Sequence, residues 1–405
     1  MLDVYEQTSL TRKKVAASGG YIDWLTQPST FKHYPEFLFN YPFGAAEALH
    51  ILELCRCVTS REHIGAKPYY KLNTPSAGNL HPLELYAQIR GVKGIISGIY
   101  HIDASADKIV LIQEIEADGI ETAVGLSHKF DGMILIQSCV PFRSEWKYGE
   151  RAYRYCYLDA GHQLASIQAA ATISDQDMTI LSGFDADVLN KAMGFKDEEF
   201  SCAVIAFGSE TEKTVNPLVK PLLHVAPTDY CDTKGYLPDL MEKEGVFTSR
   251  LFPFLTKKDV VLKRRSARKF EGTYMSEDDF EQIMQHLSEG ADPLECYTVV
   301  LKKCSLEAGV YHKGKIIKAG SFTDELTALL VDQHFIKNAQ IVTVITSKEF
   351  SSDSLMCAGA FAHKLYLETG DKEIGFTGIG AFYDEKMQKF LGTKDHILYV
   401  CAAGK

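Results

Sequence analysis

The sequence predicts an α+β fold built from two related units in tandem. Three observations carry this: landmarks that recur in the same order in each half, short β-branched runs alternating with helical stretches, and a proline-bearing segment between the halves. At roughly 100–200 residues per domain, a chain of 405 residues has room for two such units.

The repeat is read first, because periodicity fixes the architecture. Gly98-Ile99-Tyr100-His101 recurs as Gly309-Val310-Tyr311-His312. An apolar run precedes each copy, Leu85–Ile89 and Tyr297–Leu301, and an Ile/Val-rich segment follows it. Ala160-Gly161 opens the small-residue stretch AGHQLASIQAAA, and Ala358-Gly359 opens AGAFAHKLYLE. Gly194 is matched by Gly392, and each half closes on a strand and a glycine, Gly208 and Gly404. The units are placed at 1–215 and 250–405. The linker, 216–249, carries Pro217, Pro221, Pro227 and Pro238, which remove backbone donors and interrupt regular elements. Tandem fusion of a duplicated unit turns an ancestral two-fold interface into an intramolecular one, so an intramolecular pseudo-dimer is expected over two independent beads.

Strands are expected at Leu85–Arg90, Met133–Val140, Ala203–Phe207, Val299–Leu301, Ile341–Thr346 and Leu398–Cys401. Helices are expected at Leu158–Ala171 and Met356–Leu367, their small residues allowing close packing. Ser276 reads as an N-cap, with acids in the first turn and Asp279 at the capping-box position. Phe280, Ile283, Met284 and Leu287 then share one face.

Composition removes several functional classes. The chain is 46% hydrophobic and 24% charged, an ordinary globular balance. A net charge of −10 with no dominant basic surface disfavours nucleic acid and anionic lipid as partners. No apolar run reaches the ~20 residues of a membrane helix, and the N-terminal MLDVYEQTSLTRKK lacks the apolar core of a signal peptide. The ten scattered cysteines sit mostly in apolar segments and read as small buried hydrophobes of a reducing, cytoplasmic compartment. The Cys55-Arg56-Cys57 pair has no partner pair, so no metal site is expected. HExxH, Walker A and GxSxG sequences are absent.

Three segments carry chemistry. In Thr74-Pro75-Ser76-Ala77-Gly78-Asn79-Leu80-His81-Pro82, two prolines stiffen a turn and a glycine frees it. Ser76 and Asn79 then present polar groups suited to the edge of a flat heterocycle, or else simply build a rigid turn. In Lys263-Arg264-Arg265-Ser266-Ala267-Arg268-Lys269, Arg264, Ser266 and Arg268 share one side if extended. This is a phosphate-binding pattern, or a solvated basic face. Trp146-Lys147-Tyr148, just before the helix expected near Leu158, supplies a proton-transfer pair or a cation–π-laced helix start. Gly375–Gly380 is a weaker, glycine-rich signal that is not a dinucleotide fingerprint.

Together these residues resemble the FMN-dependent nitroreductase superfamily, and within it the SagB-type dehydrogenase branch of azoline oxidases. Ile22-Asp23-Trp24-Leu25-Thr26-Gln27-Pro28, the TPSAGNLHPLELY loop, GIYH and KYGERAYRYCYLDAGH follow that branch's order. The second half resembles a shortened nitroreductase unit that starts with RRSxR. The resemblance implies two units sharing FMN, with Arg264, Arg265, Ser266 and Arg268 holding the phosphate and flavin edge. Pro75, Ser76, Ala77, Gly78 and Asn79 would meet the isoalloxazine, and Gly378, Ile379, Gly380 and Lys405 would lie on the arginine side. The first half lacks RRSxR and the second lacks PSAGN, so one composite flavin site per chain is implied. Lys147 and Tyr148 match the branch's proton-abstracting pair. The implied partner is a small-molecule or modified-peptide substrate, with further association of the pseudo-dimer into a homo-oligomer left open. An NAD(P)H-driven nitro or quinone reductase, and a non-catalytic flavin-binding or partner-binding scaffold, are the competing expectations.

Overall fold

The computed structural model describes residues 3–18, 22–65, 67–116, 118–218, 225–241 and 251–405. By their contacts these form two compact units, one of residues 23–251 and one of residues 1–22 with 252–405. The expected linker lies partly outside the described residues, Pro221 included. Its described part packs on the 23–251 unit, where the main-chain N–H groups of Tyr236 and Leu237 donate to the Glu145 carboxylate (3.0 and 2.9 Å). The N-terminal segment packs on the other unit. There the Tyr5 ring meets Phe350 and His396, and Leu10 N–H donates to Asp384 at 2.9 Å.

The 23–251 unit contains strands β1 (Asn40–Pro42), β2 (Val58–Ile64), β3 (Lys67–Leu72), β4 (Leu83–Arg90), β5 (Gly98–Asp103), β6 (Lys108–Glu114), β7 (His128–Cys139), β8 (Thr179–Ile180) and β9 (Phe200–Thr214). Seven of them form an antiparallel sheet in the order β1-β6-β5-β4-β7-β9-β8, and β2 and β3 form a separate hairpin. The other unit contains β10 (Glu295–Val300), β11 (Gly309–His312), β12 (Lys315–Ala319), β13 (Ile341–Ser347), β14 (Gly375–Ile379) and β15 (His396–Gly404), ordered β12-β11-β10-β13-β15-β14. Six strands therefore recur in the same order. All six expected strands are present, each longer than its β-branched centre, because flanking residues join the ladder once a neighbour supplies hydrogen bonds.

The helix expected at Leu158–Ala171 runs from Ala152 to Ile173 and is buried along most of its length. Its matched helix runs from Ser352 to Asp371. Lys147 and Tyr148 therefore do not start this helix; they close a separate short one, Phe142–Tyr148. The Gly194–Gly392 match also has a structural basis. Each glycine ends a helix (Ala186–Met193, Asp384–Leu391) with φ of +70°, the left-handed closing position that favours glycine.

Helix Glu277–Glu289 buries Phe280, Ile283, Met284 and Leu287, and the Ser276 hydroxyl accepts from Asp279 N–H. The expected reciprocal capping box is not formed. Asp279 instead accepts from the Ser276 hydroxyl (2.6 Å) and from Lys372 (2.7 Å), because its side chain is one methylene too short to reach back comfortably to the cap N–H. No helix among the described residues is long and apolar enough to cross a membrane.

Candidate functional site

In the 23–251 unit the turn before β4 is a single 3-10 turn, Ala77–Asn79, in which Gly78 and Asn79 both have positive φ (+63° and +61°). Asn79 is among the few non-glycine residues that adopt this conformation readily. The turn locks itself. The Ser76 hydroxyl accepts from His81 N–H (2.9 Å), Asn79 Nδ2 donates to the Tyr70 carbonyl (2.7 Å), and Asn79 Oδ1 lies 3.0 Å from His81 Nε2. The polar side chains read from the sequence as ligand-facing therefore also build the rigid turn, and half-buried Pro75 leads into it.

The structure brings Lys147 and Tyr148 to this turn. A Cβ placed on Gly78 would lie 2.5 Å from the Tyr148 hydroxyl and 3.3 Å from Lys147 Nζ, so no side chain fits there. Lys147 Nζ stands 5.0 Å from the Trp24 ring centre and 5.2 Å from that of Tyr148, and makes no ion pair among the described residues. Burial lowers its pKa from the ordinary lysine value, which favours the neutral amine that can accept a proton. Gly78, Asn79 and Lys147 all line a cavity of about 840 Å³ whose walls include Trp24, Phe31 and Tyr70.

Beneath the turn lies Asp159, on the helix Ala152–Ile173. Burial pushes its carboxyl up to about 8, against the Ser76 hydroxyl and the Ala77 N–H, which draw it back. A second buried group fixes the helix that carries Lys147. Glu84 accepts from Arg143 (2.6 Å), His101 Nε2 (3.1 Å) and Lys32 N–H (2.9 Å), and Arg143 also donates to the His81 carbonyl (3.2 Å). Burial works to raise the Glu84 carboxyl, but Arg143, His101 and Arg56 hold it well below the carboxylate range. Neither acid was singled out from sequence. For Glu84 a signal exists: LEL-Tyr at 83–86 recurs as LEC-Tyr at 294–297.

In the other unit, Arg264 follows the short helix Lys258–Lys263 in extended backbone. It is buried, with its guanidinium 5.3 Å from the Tyr366 ring centre. Burial lowers its pKa to about 10, with Arg265 and Arg268 pushing the same way. The Ser266 hydroxyl lies 2.9 Å from the Tyr366 hydroxyl, so Arg264 and Ser266 share one side as alternation requires. Arg265 donates to the carbonyls of Leu262 and Arg264, closing the helix end. Arg268 is exposed and makes no ion pair among the described residues.

Gly378 and Ile379 lie on the edge strand β14, with Gly380 just beyond it. The glycine-rich run is thus an edge strand, its backbone satisfied by pairing with β15. Gly378 N–H donates to the Tyr366 hydroxyl (2.8 Å). The Lys405 carbonyl accepts from Gly272 N–H (2.8 Å). Tyr366, which the sequence did not flag, thus joins the arginine segment to the Gly378 strand. The exposed guanidinium of Arg268 offers donors that fit a phosphate, and the aromatic walls of Trp24, Phe31 and Tyr70 fit a flat ring.

These two units define an α+β protein whose duplicated sheets carry different polar sites. The nitroreductase family profile matches residues 47–209 and again 261–405, and the chain belongs to that family. It is 30% identical over 134 residues to a protein of Methanocaldococcus jannaschii named as a putative nitroreductase, an alignment covering 32% of this chain and 64% of that one. A crystal structure of a protein of the same description from Anabaena variabilis matches over 99% of this chain and 98% of its own. Its TM-score is 0.80 at 21% identity, which is a likeness of fold.

Proposed function

We propose that the chain is an FMN-dependent oxidoreductase of the SagB type, a dehydrogenase that uses one flavin per chain. In this reading Arg264, Arg265, Ser266 and Arg268, with Lys405, hold the phosphate end. Gly378, Ile379 and Gly380 lie on that side, and the 75–79 turn faces the ring, the two units acting as an intramolecular pseudo-dimer. The observation that carries it is the meeting of Lys147 and Tyr148 at Gly78, with Gly78 and Lys147 lining one aromatic-walled cavity.

When bound, FMN supplies the two-electron acceptor. The chain supplies the remainder. Lys147 Nζ takes a proton from the substrate carbon, its basic form favoured by partial burial. Tyr148, against the same turn, orients that amine. Trp24, Phe31 and Tyr70 exclude water and hold a planar substrate. The locked 76–81 turn presents its backbone to the ring without reorganisation. The substrate is a heterocycle-bearing peptide or small molecule, in a cytoplasmic setting without nucleic acid or membrane.

The test is to purify the protein, record its flavin absorbance, and offer a thiazoline-bearing peptide and NAD(P)H separately under anaerobic conditions. Bleaching by the peptide supports the dehydrogenase. Rapid bleaching by NAD(P)H alone makes the chain a nitro or quinone reductase. A colourless protein that does not take up FMN leaves a scaffold.

A further inference from the structure

The cavity beside the 75–79 turn has a second titratable wall. His33 lines it, with its side chain 36% exposed. Nδ1 of His33 lies 3.4 Å from Asp103 Oδ2, at the end of β5. Asp103 is itself fixed, its Oδ1 accepting from Ser105 N–H (3.0 Å) and the Ser105 hydroxyl (2.6 Å). The His33 main chain is clamped as well: its N–H donates to the Asp229 carbonyl and its carbonyl accepts from Thr228 N–H, both at 2.8 Å. A ring held through Nδ1 and at its own backbone leaves Nε2 with no partner among the described residues. An imidazole oriented by a carboxylate on one nitrogen and open on the other is the arrangement of a proton-transfer group.

The surroundings favour the charged ring. The hydrogen bond His33 donates to Asp103 raises the His33 pKa, burial opposes, and Asp229 and Glu84 add to the rise. Neighbouring Lys32 turns its Nζ away to Glu199. On the cavity itself the other titratable groups are Lys147, Tyr69, Tyr70 and Asp229.

We propose that His33, oriented by Asp103, is a catalytic acid of this cavity, serving a planar substrate whose reacting carbon adjoins a basic ring nitrogen or a carbonyl group. The proposal rests on the preceding reading of the cavity as the substrate site. Nε2–H of the imidazolium donates to that heteroatom and draws electrons from the adjoining C–H. Lys147 Nζ takes the carbon's proton. Bound FMN would supply the acceptor for the hydride that the neighbouring carbon gives up, and the heteroatom returns its proton to His33. The substrate loses one hydride and one proton in all, and His33 is regenerated.

The experiment compares wild type with His33→Gln and Asp103→Asn, using a 2-methylthiazoline-4-carboxamide as probe. Flavin absorbance is read first in all three. Expected are full flavin in each, and a wild-type profile of kcat/KM against pH with two limbs. In His33→Gln the rate at neutral pH falls by about 10²-fold and the profile becomes a single limb rising with pH, set by Lys147 alone. In Asp103→Asn the limb set by His33 moves to lower pH. The ring NMR titration of His33, measured without substrate, moves the same way, because the partner that raises the pKa has lost its charge. Flavin-loaded His33→Gln with an unchanged two-limbed profile overturns the proposal, as does a His33 titration that Asp103→Asn leaves in place. A wild type that binds no FMN overturns the reading of the site itself, a separate result recorded before any kinetics.

Discussion

Both units build the same strand pair and surround it differently. In the 23–251 unit Tyr86 on β4 faces His101 on β5; in the other, Tyr297 on β10 faces His312 on β11. Two residues before each tyrosine a glutamate accepts from the histidine Nε2, Glu84 at 3.1 Å and Glu295 at 3.0 Å. The tyrosine before each histidine donates to a carbonyl four residues back, Tyr100 to Ile96 and Tyr311 to Glu307. Yet the Glu84 and His101 side chains are 1% exposed, whereas those of Glu295 and His312 are 28% and 25% exposed. The difference lies in what covers the pair: Lys32 N–H, Arg143 and the Tyr34 ring lie against Glu84 and His101, whereas the further partner of Glu295 is the exposed Lys313. Enclosure recruits Arg143 and Lys32 N–H to Glu84, and the helix of Arg143 carries Lys147. In the proposed reading, the duplicated scaffold is a rigid mount for proton chemistry in one unit. In the other, cationic side chains follow a short helix and are organised by Tyr366.

The sharpest way to break this division is Lys147→Ala. It should slow substrate oxidation by about 10²–10⁴ while leaving flavin absorbance intact, as read by stopped-flow reduction. A variant that loses flavin instead would move Lys147 to the binding side.

The glutamates follow. Glu84→Ala strands Arg143 in the interior and should cost about 3–5 kcal/mol in denaturant unfolding. Glu295→Ala, at a partly exposed pair, should cost under about 1 kcal/mol. Glu84 also sets an acid dependence. Its folded pKa is depressed below the unfolded value, so its stabilisation is fully present above the unfolded carboxylate range. It is lost as pH falls toward the folded value, and Glu84→Gln should flatten that acid limb. Equal costs for the two glutamates would remove enclosure as the distinguishing feature.

Arg268→Ala should weaken FMN binding by roughly ten- to hundredfold, the loss of a charge-assisted phosphate contact of about 1.5–3 kcal/mol, measured by flavin titration. Unchanged affinity would detach the segment from the phosphate. The smallest effect expected is that of Tyr366→Phe, which removes the hydroxyl between Ser266 and Gly378. It should cost about 1 kcal/mol in stability and loosen FMN about fivefold.

Much of this was legible in the sequence. The two-unit α+β plan, the six strands and the matched glycines follow from periodicity and recurrence. The turn residues Pro75–Asn79 and the pair Lys147-Tyr148 were named without knowing that they touch. Less legible were groups whose role comes from distant chain. Asp159 lies under a turn some eighty residues earlier, Tyr366 bridges segments about a hundred residues before and twelve after it, and Asp103 meets His33 across seventy positions. Residue spacing along a strand or helix does not encode such meetings.

Flavin stoichiometry tests the proposed single site most directly. Protein purified and saturated with FMN, then denatured to release the pigment, should yield one FMN per chain by absorbance. None would remove the oxidoreductase reading, and two would contradict the proposed single flavin per chain.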